Sequence, residues 1–215
     1  MAPGPNDPLD ALLTRYPALT DCRAAIEEAG RALIACFERD GKLLVCGNGG
    51  SASDAGHIVG ELMKGFRKKR PLPDDLQARL AEMLPREARM LVSRLQGALP
   101  AVDLTAQTAL LTATGNDLHA DLIFAQQVLG YGRKGDILLG LSTSGGARDV
   151  INALCVAESL GLTTIGLTGR TGGEMAGYCR ILIRVPADGT PEVQELHLPV
   201  YHALCAMVED AFFRS

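Results

Sequence analysis

The chain has no long apolar run, no basic surplus, no paired-cysteine motif and no nucleotide fingerprint, and each absence removes a class of function. No apolar stretch approaches the roughly 20 residues that a membrane span needs. The opening MAPGPNDP, Met1 to Pro8, has neither the charged nor the apolar region of a secretory signal, so a cytoplasmic protein with no membrane role is expected. With a formal net charge of −4 and a pI of about 5.6, no basic field is on offer to nucleic acid, and a small anion must be met by local donors. The six cysteines, Cys22, Cys36, Cys46, Cys155, Cys179 and Cys205, sit in apolar surroundings without CxxC or zinc-ribbon spacing, which points to buried, reduced thiols. GNGGSAS lacks the spacing of GxGxxG, and no Lys-Ser or Lys-Thr pair closes a Walker loop, which argues against NAD and ATP.

What is present is organised around Leu43 to Met63, LLVCGNGGSASDAGHIVGELM. A short apolar run predicts a buried strand, Gly47, Gly49 and Gly50 permit a sharp turn and close approach of a ligand, and Ser51 stands where a helix N-cap belongs. Free NH groups and the positive end of a helix dipole suit an oxyanion there. The helix that follows carries His57 and Glu61 on one face and is expected to run to Arg67-Lys68-Lys69-Arg70, read as a solvated helix end.

Around this stretch, Pro8 to Asp40 reads as helical, and Asp74 to Gly97 as two amphipathic pieces broken at Pro85, an inserted helical hairpin. Leu99 to Leu104, Asp136 to Leu141, Thr163 to Leu167 and Ile181 to Val185 read as further strands, Gly115-Asn116-Asp117 as a polar turn, and Val193 to Phe213 as one long helix. Strands alternating with helices predict an α/β fold, a three-layer sandwich with a central parallel sheet between helices, long helices at both ends, and ligands at the carboxyl ends of the strands. The length of 215 residues, 47% of them hydrophobic, is enough for one core, so residues 1–215 are read as a single domain.

Ser142-Thr143-Ser144-Gly145-Gly146, between a strand and a helix, is the richest phosphate cradle, because three hydroxyls add to the bare NH groups. His57 and Glu61 can be a metal pair, a general acid and base, or a polar stripe. In the last helix Gln194 and His202 lie within about 80° of one another at 100° per residue. Two helices can therefore supply four ligands, His57, Glu61, Gln194 and His202, of types that suit zinc. His197 faces elsewhere and reads as a core residue, and His119 as a turn residue.

With GNGGS, His57 and Glu61, Asn116-Asp117, STSG at 142 to 145, and Gln194 to His202 in order, the chain resembles the phosphoheptose isomerases of the sugar isomerase (SIS) superfamily. The resemblance implies a flavodoxin-like SIS fold, a homotetramer, one zinc per subunit, and aldose–ketose isomerisation of sedoheptulose 7-phosphate to D-glycero-D-manno-heptose 7-phosphate for heptose biosynthesis. It also implies substrate contacts at Asn48, Gly49, Gly50, Ser51, Glu61, Asn116, Asp117, Ser142, Thr143, Ser144 and Gln194, and zinc ligands at His57, Glu61, Gln194 and His202. Glu61 is then the expected base and His202 the acid. Two departures stand out: Ala147 where the family often has a serine, and the longer connection at 74–97. An isomerase of another phosphosugar, and a non-catalytic phosphosugar- or protein-binding module of the replication-initiator-binding kind, are the alternatives. The presence of both Glu61 and His202 argues against the second.

Overall fold

The computed structural model describes residues 7–213. Five strands, β1 (Leu43–Gly47), β2 (Ala101–Asp103), β3 (Ile137–Ser142), β4 (Thr163–Thr168) and β5 (Ile181–Arg184), form one parallel sheet in the order β2-β1-β3-β4-β5. The helices are α1 (Pro8–Arg15), α2 (Arg23–Phe37), α3 (Gly50–Met63), α4 (Asp74–Met83), α5 (Ala88–Arg94), α6 (Thr108–Asp117), α7 (Ala125–Tyr131), α8 (Arg148–Ser159) and α9 (Thr190–Phe212). Every residue of β1 and β3 is buried, which explains their unbroken apolar runs: a strand covered on both faces has no polar side. Alternate side chains feed two cores. Leu43 and Val45 pack with Ile26, Leu33, Ile58 and Leu204 of α2, α3 and α9, while Leu44 and Cys46 pack with Val128, Val150 and Leu154 of α7 and α8.

This strand order reverses direction between β1 and β3, and an open α/β sheet has its crevice at such a switch point, beyond the carboxyl ends of the strands. The two loops there are Asn48 and Gly49 after β1 and Thr143 to Ala147 after β3.

Several local expectations need correction. The N-terminal helical stretch is split at Pro17, which lacks an NH and starts a 3₁₀ turn, Pro17–Cys22. Gly49, at φ 58°, is the N-cap of α3, and Ser51 is instead a buried residue of its first turn. Asn116 and Asp117 end α6 and do not form a separate turn. Helix α3 stops at Met63, because Lys64 is extended. Nor is Arg70 part of a solvated helix end: it is 1% exposed. Its guanidinium donates to the Leu62 carbonyl (2.6 Å), to the Glu61 carbonyl (3.0 Å) and to Glu209 of α9 (2.9 Å). Glu209 in turn accepts the NH groups of Phe66 (2.9 Å) and Arg67 (2.8 Å). The end of α3 and the loop after it are thus fastened to α9. The hairpin of α4 and α5 is as the Pro85 break predicts; α4 buries none of its residues, and Met83 and Met90 are exposed.

Candidate active site

Helices α3 and α9 lie side by side and run the same way. Gly50 at the start of α3 faces Gln194, so closely that a Cβ would stand 2.4 Å from the carboxamide nitrogen. One to two turns further on, Asp54 and His57 meet Tyr201 and His202, and beyond the end of α3 the loop meets Glu209.

At the N-terminal end of this pair is a cavity of about 320 Å³. Asn48, Gly49, Gly50 and Ser51 line one side, Ser142, Thr143 and Ser144 the other, and Gln194 a third. Three helices begin at this cavity: α3 after Gly49, α8 after Ala147 and α9 at Thr190. The positive dipole ends of three helices thus border one cavity, an arrangement that favours an anion in a chain of negative net charge. The loop is held from behind. Gly145, at φ 68°, lies so close to the Gly172 carbonyl that no side chain fits, the Gly169 NH donates to the Thr143 carbonyl (3.0 Å), and the Met175 NH donates to the Gly145 carbonyl (2.8 Å). The third glycine loop, 169–173, therefore buttresses the cradle. Asn48 donates its amide to both oxygens of Asp149, at 2.9 Å each.

About 9 Å along α3 from Ser51, at 1.5 Å per residue, is a second cluster. The Nε2 of His57 lies 3.3 Å from Oε1 of Glu61 and 3.4 Å from Nε2 of His202. The phenol of Tyr201 donates to Oδ1 of Asp54 (3.1 Å) and sits 3.0 Å from Nδ1 of His57. Burial, and after it the neighbouring His57, pushes the His202 imidazole below its ordinary pKa, while Glu61 opposes the shift. Burial raises the Asp54 carboxyl, with the Tyr201 hydrogen bond and His57 pulling the other way.

The structure thus gathers most of the expected site residues into two groups, a cradle and a His57–Glu61–His202 cluster. Gln194 stands with the cradle, and along α9 it is about 12 Å from His202. Among the described residues no three His, Cys, Asp or Glu side chains close round one point in a metal-holding arrangement; the cluster is an open chain with His57 in the middle. Asn116 and Asp117 are not among the walls of the cavity, and Asn116 donates to Asp117 (2.7 Å) at the exposed end of α6. A larger cleft of about 460 Å³ lies between α1 and α9, with His202 on one wall and mostly apolar side chains elsewhere. It lacks the cradle's three helix starts. Residues not foreseen from the sequence are Asp54, Tyr201 and Asp149, which contact site residues, and Thr190, which also lines the cavity. Asp54 is three positions before His57 on the same helix face, a signal that was available; the others depend on tertiary contact.

The sheet is parallel with a hydroxyl-lined loop at its switch point, and a family model described as a SIS domain matches residues 10–97 and 79–169. Comparison with individual proteins narrows the class. A phosphoheptose isomerase of Rhodospirillum rubrum is 42% identical over 193 residues, spanning 90% of this chain and 89% of the relative. One of Desulfovibrio desulfuricans is 39% identical over 190 residues, spanning 88% of this chain and 78% of the relative. Among solved structures, the phosphoheptose isomerase of Neisseria gonorrhoeae superposes with a TM-score of 0.73 at 33% identity over 94% of both chains. That of Francisella tularensis gives 0.72 at 30% identity over 94% of this chain and 98% of the other. The chain belongs to the phosphoheptose isomerase family of SIS-domain enzymes.

Proposed function

We propose that this enzyme interconverts sedoheptulose 7-phosphate and D-glycero-D-manno-heptose 7-phosphate through a cis-enediol. The observation that carries the reading is the distance between the two halves of the site. Ser51 of the cradle and His57 of the cluster are about 9 Å apart along α3, and in an extended heptulose 7-phosphate carbon 2 and phosphorus are separated by a similar length, at about 1.25 Å of advance per bond.

In this reading Ser142, Thr143, Ser144 and Ser51 hold the phosphate with the NH groups of the helix starts, and Gln194 and Asn48 contact the sugar. Thr190 brings a further hydroxyl to the cavity wall, which at Ala147 has none. The remote phosphate fixes the reacting carbons, so binding energy is converted into orientation. Glu61 takes the proton from carbon 1 of the ketose, His202 gives a proton to the carbonyl oxygen at carbon 2, and the enediol forms. Return of the first proton to carbon 2, with removal of the proton on oxygen 1, completes the aldose. No net oxidation occurs, so paired acid and base suffice.

The donor set also fits zinc. The His57–Glu61 and His57–His202 separations of 3.3 and 3.4 Å are short enough for each pair to share an ion, although the three side chains as they stand do not close round one point. His57, Glu61 and His202 would hold the ion, and Gln194, the further ligand that the family resemblance implies, would reach it only by turning away from the cradle wall. When bound, it would polarise the substrate oxygens and stabilise the enediolate. The same reading includes a homotetramer in the cytoplasm. It is supported by the six unpaired thiols, which suit a reducing compartment, and by the apolar cleft beside α9.

The test is incubation of the purified protein with sedoheptulose 7-phosphate, with zinc and with a chelator. Aldose product is expected with zinc, and Glu61→Gln is expected to lower turnover by about 10²–10⁴-fold. No product under zinc-replete conditions overturns the substrate assignment, and full turnover by the variant removes Glu61 as the base.

A further inference from the structure

Asp54 and Tyr201 take no part in the chemistry described above, yet their placement is costly. Asp54 keeps its second oxygen, Oδ2, buried without a hydrogen-bond partner among the described residues, an arrangement that is rare in native structures and calls for an explanation. Its other oxygen, Oδ1, is 3.1 Å from the hydroxyl of Tyr201, a side chain that is 1% exposed and 3.0 Å from Nδ1 of His57.

The phenol has one proton and two neighbours that can accept it. If it points to His57, both oxygens of a partly buried carboxylate are left unpaired. If it points to Asp54, the carboxylate gains a charge-assisted hydrogen bond, and the phenol oxygen accepts a proton from His57. The second arrangement leaves fewer unsatisfied groups. It places the imidazole hydrogen on Nδ1 and leaves a lone pair on Nε2, the nitrogen that faces Glu61 at 3.3 Å and His202 at 3.4 Å. A lone pair opposite a carboxylate oxygen is a site that asks for a cation between them, and a ring nitrogen is prepared for that role by the hydrogen bond its opposite nitrogen makes.

We infer that Asp54 and Tyr201 are positioning residues that lock His57 in its Nδ1–H tautomer and so prepare Nε2 to bind the ion. The inference deepens the zinc reading and rests on it for one of its two readouts. The other needs no metal.

The first readout is the tautomer of His57 in metal-free protein, from long-range ¹H–¹⁵N spectra. With four histidines in the chain, His57 is assigned by comparison with His57→Gln. The wild type is expected to show Nδ1–H with a bare Nε2. Tyr201→Phe, which keeps the ring, is expected to release the tautomer toward Nε2–H. Asp54→Asn is expected to do the same, because a neutral amide no longer outcompetes His57 for the phenol proton. The second readout is zinc affinity by competition with a chromophoric chelator, expected to fall about 10–100-fold in Tyr201→Phe. An unchanged melting temperature shows that folding is not the cause. Nε2–H in the wild type, or a tautomer that ignores both substitutions, overturns the inference. A wild type with the expected tautomer but no zinc uptake sinks the metal reading and leaves the tautomer lock standing.

Discussion

His197 is the clearest case of one residue decided by its surroundings. It is 0% exposed, and neither ring nitrogen has a hydrogen-bond partner. Burial pushes its pKa from 6.5 down to about 4, against a weaker pull from the Thr168 backbone, which lies near it without meeting hydrogen-bond geometry. Between those values the unfolded chain binds a proton that the folded chain does not. Stability from this group is therefore complete above about pH 6.5 and declines as pH falls toward 4. At about 1.4 kcal/mol per pH unit, the decline between pH 7 and pH 5 is about 2 kcal/mol. Denaturant unfolding of wild type and His197→Leu at both pH values should show the wild type losing that much more than the variant; parallel losses would mean that His197 is not kept neutral by the fold. At this scale the sequence was informative wherever helical spacing put polar groups on one face, as with His57 and Glu61. Tyr201 escaped notice because a tyrosine beside a histidine in an apolar helix reads as core, and only the packing of α9 on α3 brings its hydroxyl to Asp54 and His57.

Among elements, the joint between α3 and α9 depends on a pair that the sequence hides. The run Arg67-Lys68-Lys69-Arg70 reads as a solvated helix end, but Arg70 and Glu209 are 139 positions apart and both side chains are 0% exposed. Although burial alone would raise the Glu209 carboxyl, the NH groups of Phe66 and Arg67 and the Arg70 guanidinium outweigh it and hold the pKa below the ordinary value. Removing one partner of such a pair leaves the other charge buried, so Arg70→Met should destabilise the protein by about 3–5 kcal/mol. Urea titration should show Arg70→Met/Glu209→Gln recovering much of the loss, since glutamine can still accept from the loop without a charge to compensate. If the double variant is no better than the single one, the cost lies in the lost caps on the Glu61 and Leu62 carbonyls. Element types were otherwise readable, because short unbroken apolar runs and period-3.6 apolar patterns follow from which faces the sheet and helices bury.

For the whole molecule, the spacing between the cradle and the His57–Glu61–His202 cluster predicts a preference by substrate length. In a ketopentose 5-phosphate the carbonyl carbon and phosphorus are only about 6 Å apart at the same advance per bond, so the phosphate can seat while the carbonyl falls short. Such a sugar should inhibit competitively and turn over at least about 10²-fold more slowly than the heptulose. Comparison of kcat/KM for the two decides the point, and equal values would show that the two clusters do not act on one ligand. The mass in solution, by sedimentation, is expected to be four times the 22.7 kDa of the chain. By itself the sequence determined the α/β class, the glycine and hydroxyl loops at the strand ends, and the family, because these depend on local periodicity and on motifs a few residues long. The tertiary structure decided which helix starts border the cradle, that Gln194 lines it, that Asp54 and Tyr201 meet His57, and that Arg70 and Glu209 join α3 to α9. Each of those facts is a contact between residues far apart in the chain, and such a contact exists only once the two cores have packed α3 against α9.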